Sequence, residues 1–411
     1  MRKWIAALIL LSCLLALAFS ASAEKVVRLT FTGDCTIGST EQTRGLPDSF
    51  DTMAREMGYD YFFANFAEMF AEDDATIINF EGVLQDSRAN ENTSKTYRFR
   101  GPTAFTDILT SVSIEGAGLA NNHVADYGRL GLDRTKAALE AAGITWFRLT
   151  KYYLVEADGV KVAIFALDTS TYPNNSEQVR QEIARVRTSG EANAVVLLYH
   201  GGNEYDPKHN ANQTLVMERM IDAGVDLVIM HHPHIVQGIA VRRNRYTCFS
   251  LGNFCFGGNS AIRTEMYRNT HQVSSLYAMV ARAELHFSDE GEYIGQQLFL
   301  YPVFISGSDP RNDYQPRLVT GDEARTVFEH VQYDTAFQLP EYDEELGCVA
   351  LPYLAAGEEI ELATPVPTTR PTARPTRRPT ARPTDQPVET EAPTAKPTDQ
   401  PVETEAPTAR P

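Results

Sequence analysis

Val225-Asp226-Leu227-Val228-Ile229-Met230-His231-His232-Pro233-His234 is the stretch whose reading decides the fold. It is an apolar run of strand length that ends in three histidines within four positions. The whole chain has only nine histidines, so a third of them crowd into this one place. An aliphatic run of this length reads as a strand buried on both faces, the kind found in a parallel α/β sheet. Imidazoles delivered at the carboxyl end of such a strand suit a metal site.

Other segments repeat the pattern. Strands are predicted at 25–32, 75–80, 194–199 and 225–230, and a hairpin at 151–168 turns at Asp158-Gly159. Helical spacing is read at 61–70, 103–111, 130–142, 177–188, 212–223 and 322–333. The segments 235–241, 245–249, 276–287 and 295–303 read as antiparallel strands. Strands that first alternate with helices and then follow one another indicate an α/β fold with mixed sheets and helices outside. Five strand ends carry compact polar clusters: Asp34; Asn79 and Glu81; Asn122 and His123; His200; His232 and His234. Singly, each fits a turn, a helix cap or a core histidine. Together, carboxylates, an amide and imidazoles at strand ends suit one or two borderline divalent ions such as Mn, Fe or Zn. There is no cysteine cage of the kind a structural zinc requires.

The two ends of the chain differ from its middle. Met1-Arg2-Lys3, an apolar run to Phe19 and Ala21-Ser22-Ala23 read as a secretory signal peptide over 1–23. An uncleaved N-terminal membrane anchor is the alternative reading. Residues 363–411 are rich in Pro and Thr, and a 14-residue segment, 384–397, recurs as 398–411 with one change, Lys396 to Arg410. Such a tract buries too little apolar surface to offset chain entropy, so it is expected to be an extended, disordered tail. One domain, 24–362, lies between. Charges nearly cancel in the tail, so the formal charge of -17 belongs to the domain, which argues against nucleic-acid binding. The four cysteines of the mature chain (Cys35, Cys248, Cys255 and Cys348) permit disulfides, but buried thiols explain them equally well.

Several motifs occur in a fixed order: Gly33-Asp34, Asn79-Phe80-Glu81-Gly82, Asn121-Asn122-His123-Val124-Ala125-Asp126-Tyr127-Gly128, His200-Gly201-Gly202-Asn203-Glu204-Tyr205, His232-Pro233-His234 and Ser250-Leu251-Gly252-Asn253-Phe254. As a set they resemble the CapA family of poly-gamma-glutamate capsule biosynthesis proteins, related to the calcineurin-like metallophosphoesterases. The resemblance implies a four-layer α/β/β/α sandwich with a two-metal site at the sheet ends. It makes Glu81 the bridging carboxylate, with Asp34 and His234 on one metal and Asn122, His200 and His232 on the other. His123 resembles the histidine that protonates a leaving group, with Asp126 orienting it. Arg98, Arg100, Asn79 and Glu204 are the expected substrate contacts.

The reaction this implies is hydrolysis of a phosphoester or a related bond in an anionic polymer, outside the cytoplasm. The other reading is a non-catalytic polymer-binding component of a membrane-associated capsule-synthesis complex. One departure stands out. Where the wider superfamily has Asp-x-His in its first motif, this chain has Asp34-Cys35-Thr36, and Glu81 replaces the usual Asp of the second.

Overall fold

The computed structural model describes residues 24–258, 274–306, 311–357 and 362. The expected signal peptide (1–23) and the repeat-bearing tail (363–411) lie outside the described residues, as does the whole of a second compact unit, Pro367–Pro411.

In chain order the strands are β1 (Lys25–Thr36), β2 (Ala75–Phe80), β3 (Val83–Leu84), β4 (Arg100–Gly101), β5 (Gly116–Gly118), β6 (Thr145–Phe147), β7 (Leu149–Ala157), β8 (Val160–Asp168), β9 (Ala194–His200), β10 (Leu227–His231), β11 (Ile239–Arg242), β12 (Arg245–Cys248), β13 (Asn253–Phe256), β14 (Tyr277–Phe287), β15 (Tyr293–Phe304), β16 (Arg317–Leu318), β17 (Val349–Ala350) and β18 (Leu354–Ala355). The helices are α1 (Phe50–Met57), α2 (Ala67–Ala71), α3 (Thr106–Thr110), α4 (Gly128–Ala141), α5 (Tyr172–Thr188), α6 (Ala211–Asp222) and α7 (Gly321–Tyr333).

Two mixed sheets and a two-stranded parallel pair, β3-β4, result. The first runs β16-β15-β14-β1-β2-β5-β6, with β13 joining β1 and with β17 and β18 on β15; the second runs β11-β12-β10-β9-β8-β7. In the first sheet β1, β2, β5 and β6 are mutually parallel, and in the second β8, β9, β10 and β12 are. Each sheet therefore gathers several carboxyl ends at one edge, where ligands collect in open α/β folds.

The period-two alternation of strand side chains sorts the apolar residues into three cores. Ile77, Leu198 and Ile229 point between the sheets, with Leu29, Phe31 and Ile164. Their neighbours Ile78, Leu197 and Val228 point outward. Ile78 and Phe80 meet a phenylalanine-rich layer that includes Phe50, Phe62, Phe66 and Phe70. Leu197 and Val228 meet Val179 and Ile183 of α5 and Val216 and Met220 of α6. Helices, sheet, sheet and helices thus form the four layers that the resemblance implied. No helix among the described residues is long and apolar enough to cross a membrane.

Several local expectations need correcting. The predicted helix at 61–70 is a short 3-10 turn, Ala64–Phe66, followed by α2, because its aromatics point into the core rather than along one stripe. Most of the predicted strand at 235–241 is loop: the strand itself is Ile239–Arg242, preceded by a single bridge from Val236 to Leu251. Helix α1 was not anticipated, although Ser49 caps it by accepting from the Thr52 amide and Gly58 follows its end. The four cysteines are buried free thiols, so the disulfide option is not used.

Ile229 is fully buried between the sheets, just before the histidines. Ile229→Ala is expected to cost about 3 kcal/mol of stability. The check is a lowered urea midpoint with an unchanged slope.

Candidate metal centre

The parallel ends of both sheets converge on Asp34. Strand pairing sets its backbone between Asn79 of β2 and Asn253 of β13. Gly33 permits this crossing, since a Cβ there would lie 2.3 Å from the Gly252 carbonyl oxygen. The Asp34 carboxylate is fully buried and reaches into the second sheet. Its Oδ1 accepts from Asn79 Nδ2 at 2.7 Å, and its Oδ2 accepts from the backbone N–H of His232 at 3.2 Å and lies 3.4 Å from His234 Nδ1. Burial raises its pKa, but the surrounding His234, His231 and His200 rings overcome this and hold the group below the usual carboxylate range.

On β9, His200 accepts from Asn79 Nδ2 at Nδ1 (3.1 Å). Its Nε2 lies 2.8 Å from Asn122 Oδ1 and 3.6 Å from Glu81 Oε1. His231, at the end of β10, donates from Nε2 to the Thr32 carbonyl of β1 at 3.0 Å and so ties one sheet to the other. His232 and His234 follow with φ of 101° and 58°. Such left-handed backbone costs roughly 1–3 kcal/mol at a non-glycine residue and persists where its surroundings enforce it. His234 is oriented by Asn253, whose Oδ1 is 2.9 Å from Nδ1, leaving Nε2 as the ring's second donor.

Glu81 lies at the centre of these groups. Its backbone N–H donates to the Cys35 carbonyl at 2.8 Å, and its side chain is fully buried. Neither carboxylate oxygen has a hydrogen-bond partner, and the buried Nδ1 of His232 also lacks one. Burial, and then the nearby Asp34 charge, push the Glu81 carboxyl well above its usual range. Burial lowers the pKa of the His234 ring, but Glu81 and Asp34 outweigh it and raise the ring to about 9.

An orphaned buried carboxylate amid imidazoles is costly unless a cation completes it. Three overlapping groups have donor atoms within 4.8 Å of one another: Glu81, His200 and His232; Asp34, Glu81 and His234; and Glu204, His232 and His234. Glu81 belongs to the first two, as a bridging carboxylate must. The oxygen and nitrogen donors fit a borderline divalent ion. Cys35 contributes nothing here. It packs in the phenylalanine-rich layer with its thiol against Thr32 and the Gly33 carbonyl, and burial pushes it up to about 12.

His123 faces the same centre, with Nε2 3.8 Å from Glu81 Oε1. Its Nδ1 lies 2.7 Å from Asp126 Oδ2, which also accepts the Phe99 N–H at 2.8 Å. Burial lowers the His123 pKa, and Asp126 opposes that shift. Asn121 locks the turn by donating to the Phe80 carbonyl and to Asn79 Oδ1.

Sequence reasoning missed three neighbours. Lys95 pairs with Asp126 and donates to the Asn122 carbonyl at 2.8 Å. Asp168, at the end of β8, lines a cleft of about 170 Å³ with Asn122, Thr169, Ser170, His200 and His232. Asn253, quoted in a motif without a role, orients His234. Only the position of Asp168 at a strand end could have flagged it; Lys95 lies in a loop that only the fold brings over the site.

Three expected substrate contacts need revising, because each spends its polar atoms inside the protein. Arg98 donates to Glu91 Oε1 at 2.8 Å, and Arg100 donates to Glu41 Oε1 at 2.8 Å and to the Gln85 carbonyl at 2.9 Å. Asn79 is buried, with its amide divided among Asp34, His200 and Asn121. Glu204, by contrast, is exposed beside His232 and His234.

In metal-free protein, folded Glu81 keeps a proton that the unfolded chain releases above about pH 4.3. The raised His234 acts in the same sense above about pH 6.5. Both make stability fall as pH rises through the neutral range. Glu81→Gln removes the orphaned charge, so with chelator present it is expected to be the more stable protein at pH 8, by roughly 1–3 kcal/mol. Its stability should also change less with pH. Melting curves from pH 5 to 8 provide the check, and a variant that melts below wild type at pH 8 contradicts the assignment.

Comparison with known proteins gives the family. Residues 28–258 match the family model described as bacterial capsule synthesis protein PGA_cap. A capsule biosynthesis protein CapA of Bacillus anthracis is 28% identical over 223 residues, which is 48% of this chain and 54% of that protein. A PGA biosynthesis protein CapA of Bacillus subtilis (strain 168) is 25% identical over 255 residues, 57% of this chain and 64% of that protein. The chain thus spans little more than half the length of these relatives. A hypothetical protein from Thermus thermophilus, known from its crystal structure, aligns with a TM-score of 0.38 and 13% identity, covering 67% of this chain and 99% of that one. With its site motifs inside a matched segment that spans more than half the sequence, this chain belongs to the bacterial capsule synthesis PGA_cap family.

Proposed function

We propose that this protein is an exported, metal-dependent hydrolase that cleaves a phosphoester or a related bond during the biosynthesis of an anionic capsule or envelope polymer. The observation that carries this reading is the fully buried Glu81 carboxylate, without a hydrogen-bond partner and shared by two groups of candidate ligands. Asp34, Glu81 and His234 would hold one divalent ion, and Glu81, His200, His232 and Asn122 a second. When bound, such ions supply Lewis acidity and make a water acidic enough to attack near neutral pH.

The remaining work falls to the chain itself. Asp126 accepts from His123 Nδ1–H, so the neutral ring presents a bare Nε2 toward the centre; there it would take up a proton, with Asp126 stabilising the imidazolium, and pass that proton to a departing oxygen. Lys95 balances the Asp126 charge. The cleft beside Asn122, His200 and His232 admits substrate from the solvent side. The acidic surface disfavours a polyanion everywhere except at a cationic centre, which confines binding to the metal site.

The test pairs metal analysis of the purified protein with turnover on aryl phosphates and isolated envelope polymers. Wild type is expected to turn over only when loaded with metal. His123→Ala is expected to keep its metal and lose about 10²–10⁴-fold in kcat; His232→Ala should lose both. A metal-loaded wild type that hydrolyses nothing, yet binds polyglutamate equally well with and without His123, would instead identify a non-catalytic component of a membrane-associated assembly.

A further inference from the structure

We infer that Glu204 is itself a metal ligand, a carboxylate that spans the two ion positions from the solvent side as Glu81 spans them from the buried side. The inference rests on the metal-centre reading above and adds a residue to it.

The third group of clustered donors is Glu204, His232 and His234. It is not a separate site, because each histidine also belongs to one of the other two groups: His232 with Glu81 and His200, His234 with Asp34 and Glu81. A carboxylate within reach of both histidines therefore faces both ion positions. His232 has a buried nitrogen with no hydrogen-bond partner, so a donor atom for further coordination is present. No hydrogen bond from the described residues reaches the Glu204 carboxylate, although the residues on either side of it in the loop are fixed.

The fold places this side chain rather than leaving it to chance. The loop after β9 is stitched to the His-Pro-His segment. The Gly201 N–H donates to the His231 carbonyl at 2.9 Å, and the Tyr205 N–H donates to the Pro233 carbonyl at 2.8 Å. Gln237 Nε2 donates to the Asp206 carbonyl at 2.8 Å. Gly202 has φ +128°, and a Cβ there would meet Gln213 Oε1 at 2.8 Å, so the loop follows a path open to glycine alone. Tyr205 is also left-handed, at φ 59°. Glu204 lies between two residues whose backbones are constrained.

Charge and ligand count point the same way. Two dications opposed only by Asp34 and Glu81 leave two charges uncompensated; Glu204 leaves one. Thr36 stands where the wider superfamily has a histidine, and its hydroxyl accepts the Gly258 N–H at 3.1 Å, so the Asp34 side of the centre gains no imidazole from the first motif. Glu204 supplies the oxygen donor that this position lacks.

The test uses the mature protein, stripped with chelator and titrated with Mn²⁺ alone by calorimetry, with bound metal counted by mass spectrometry. Glu204→Gln is isosteric and exposed, so the metal-free variant is expected to melt with wild type. It is expected to lose roughly tenfold or more in Mn²⁺ affinity, or one equivalent of bound ion. Asp206→Asn removes a nearby charge that is not among the clustered donors, and it should bind Mn²⁺ as wild type does. Equal binding by wild type and Glu204→Gln overturns the inference, as does an equal loss in both variants, which would make the effect one of general charge. A wild type that binds no Mn²⁺ overturns this inference and the metal-centre reading together. A wild type that binds Mn²⁺ but hydrolyses nothing overturns only the hydrolase, and the Glu204 assignment then stands on the binding data.

Discussion

The structure depends on one buried carboxylate that belongs to both sheets. Asp34 lies near the carboxyl end of a strand of the first sheet, yet its side chain accepts the backbone N–H of His232, just past a strand of the second. The His231–Thr32 hydrogen bond repeats the link one step deeper. These two contacts fix the separation of the sheets where their carboxyl ends meet. The Asp34 carboxylate is held there 3.9 Å from His200 Nδ1 and 3.4 Å from His234 Nδ1. Glu81 then enters a pocket whose walls are already set, and its carboxylate finds no hydrogen-bond donor. Desolvating a charge without a partner costs several kcal/mol. In the proposed reading a cation removes this cost, and it gives the two left-handed histidines a reason to be held as they are.

Much of this arrangement was legible in the sequence because it follows simple periodicities. Strand-length apolar runs ending in polar residues located β2, β9 and β10, and the same ends carried Glu81, His200 and His232. The alternation of Ile77 with Ile78 and of Leu198 with Leu197 contains the layering, since adjacent strand residues must face different cores. What the sequence could not show were partners distant in the chain. Arg98 and Arg100 looked like free cations suited to an anion, but Glu91 and Glu41 neutralise them. Nothing local in the sequence marks Lys95, which reaches Asp126 across 31 positions. Helix α1 was overlooked because its signal is a cap and a glycine rather than a long apolar stripe.

The internal pairing of the arginines also shapes the chemistry. A chain of net charge -17 offers little attraction to a polyanion, and the guanidinium groups nearest the centre are committed elsewhere. Lys95 is likewise paired with Asp126, so in the proposed reading the cationic attraction at the cleft comes from bound metal. On that proposal, recognition would be confined to the reacting group, with the rest of an acidic polymer repelled. As the inferred further ligand, Glu204 would limit the excess positive charge at the mouth of the centre.

The most direct test of the account is a crystal grown with Mn²⁺ and measured by anomalous scattering. The account predicts a peak enclosed by Glu81, His200 and His232, and at full occupancy a second between Asp34, Glu81 and His234. No anomalous peak within coordination distance of Glu81, with its carboxylate instead hydrogen-bonded to protein, would contradict it.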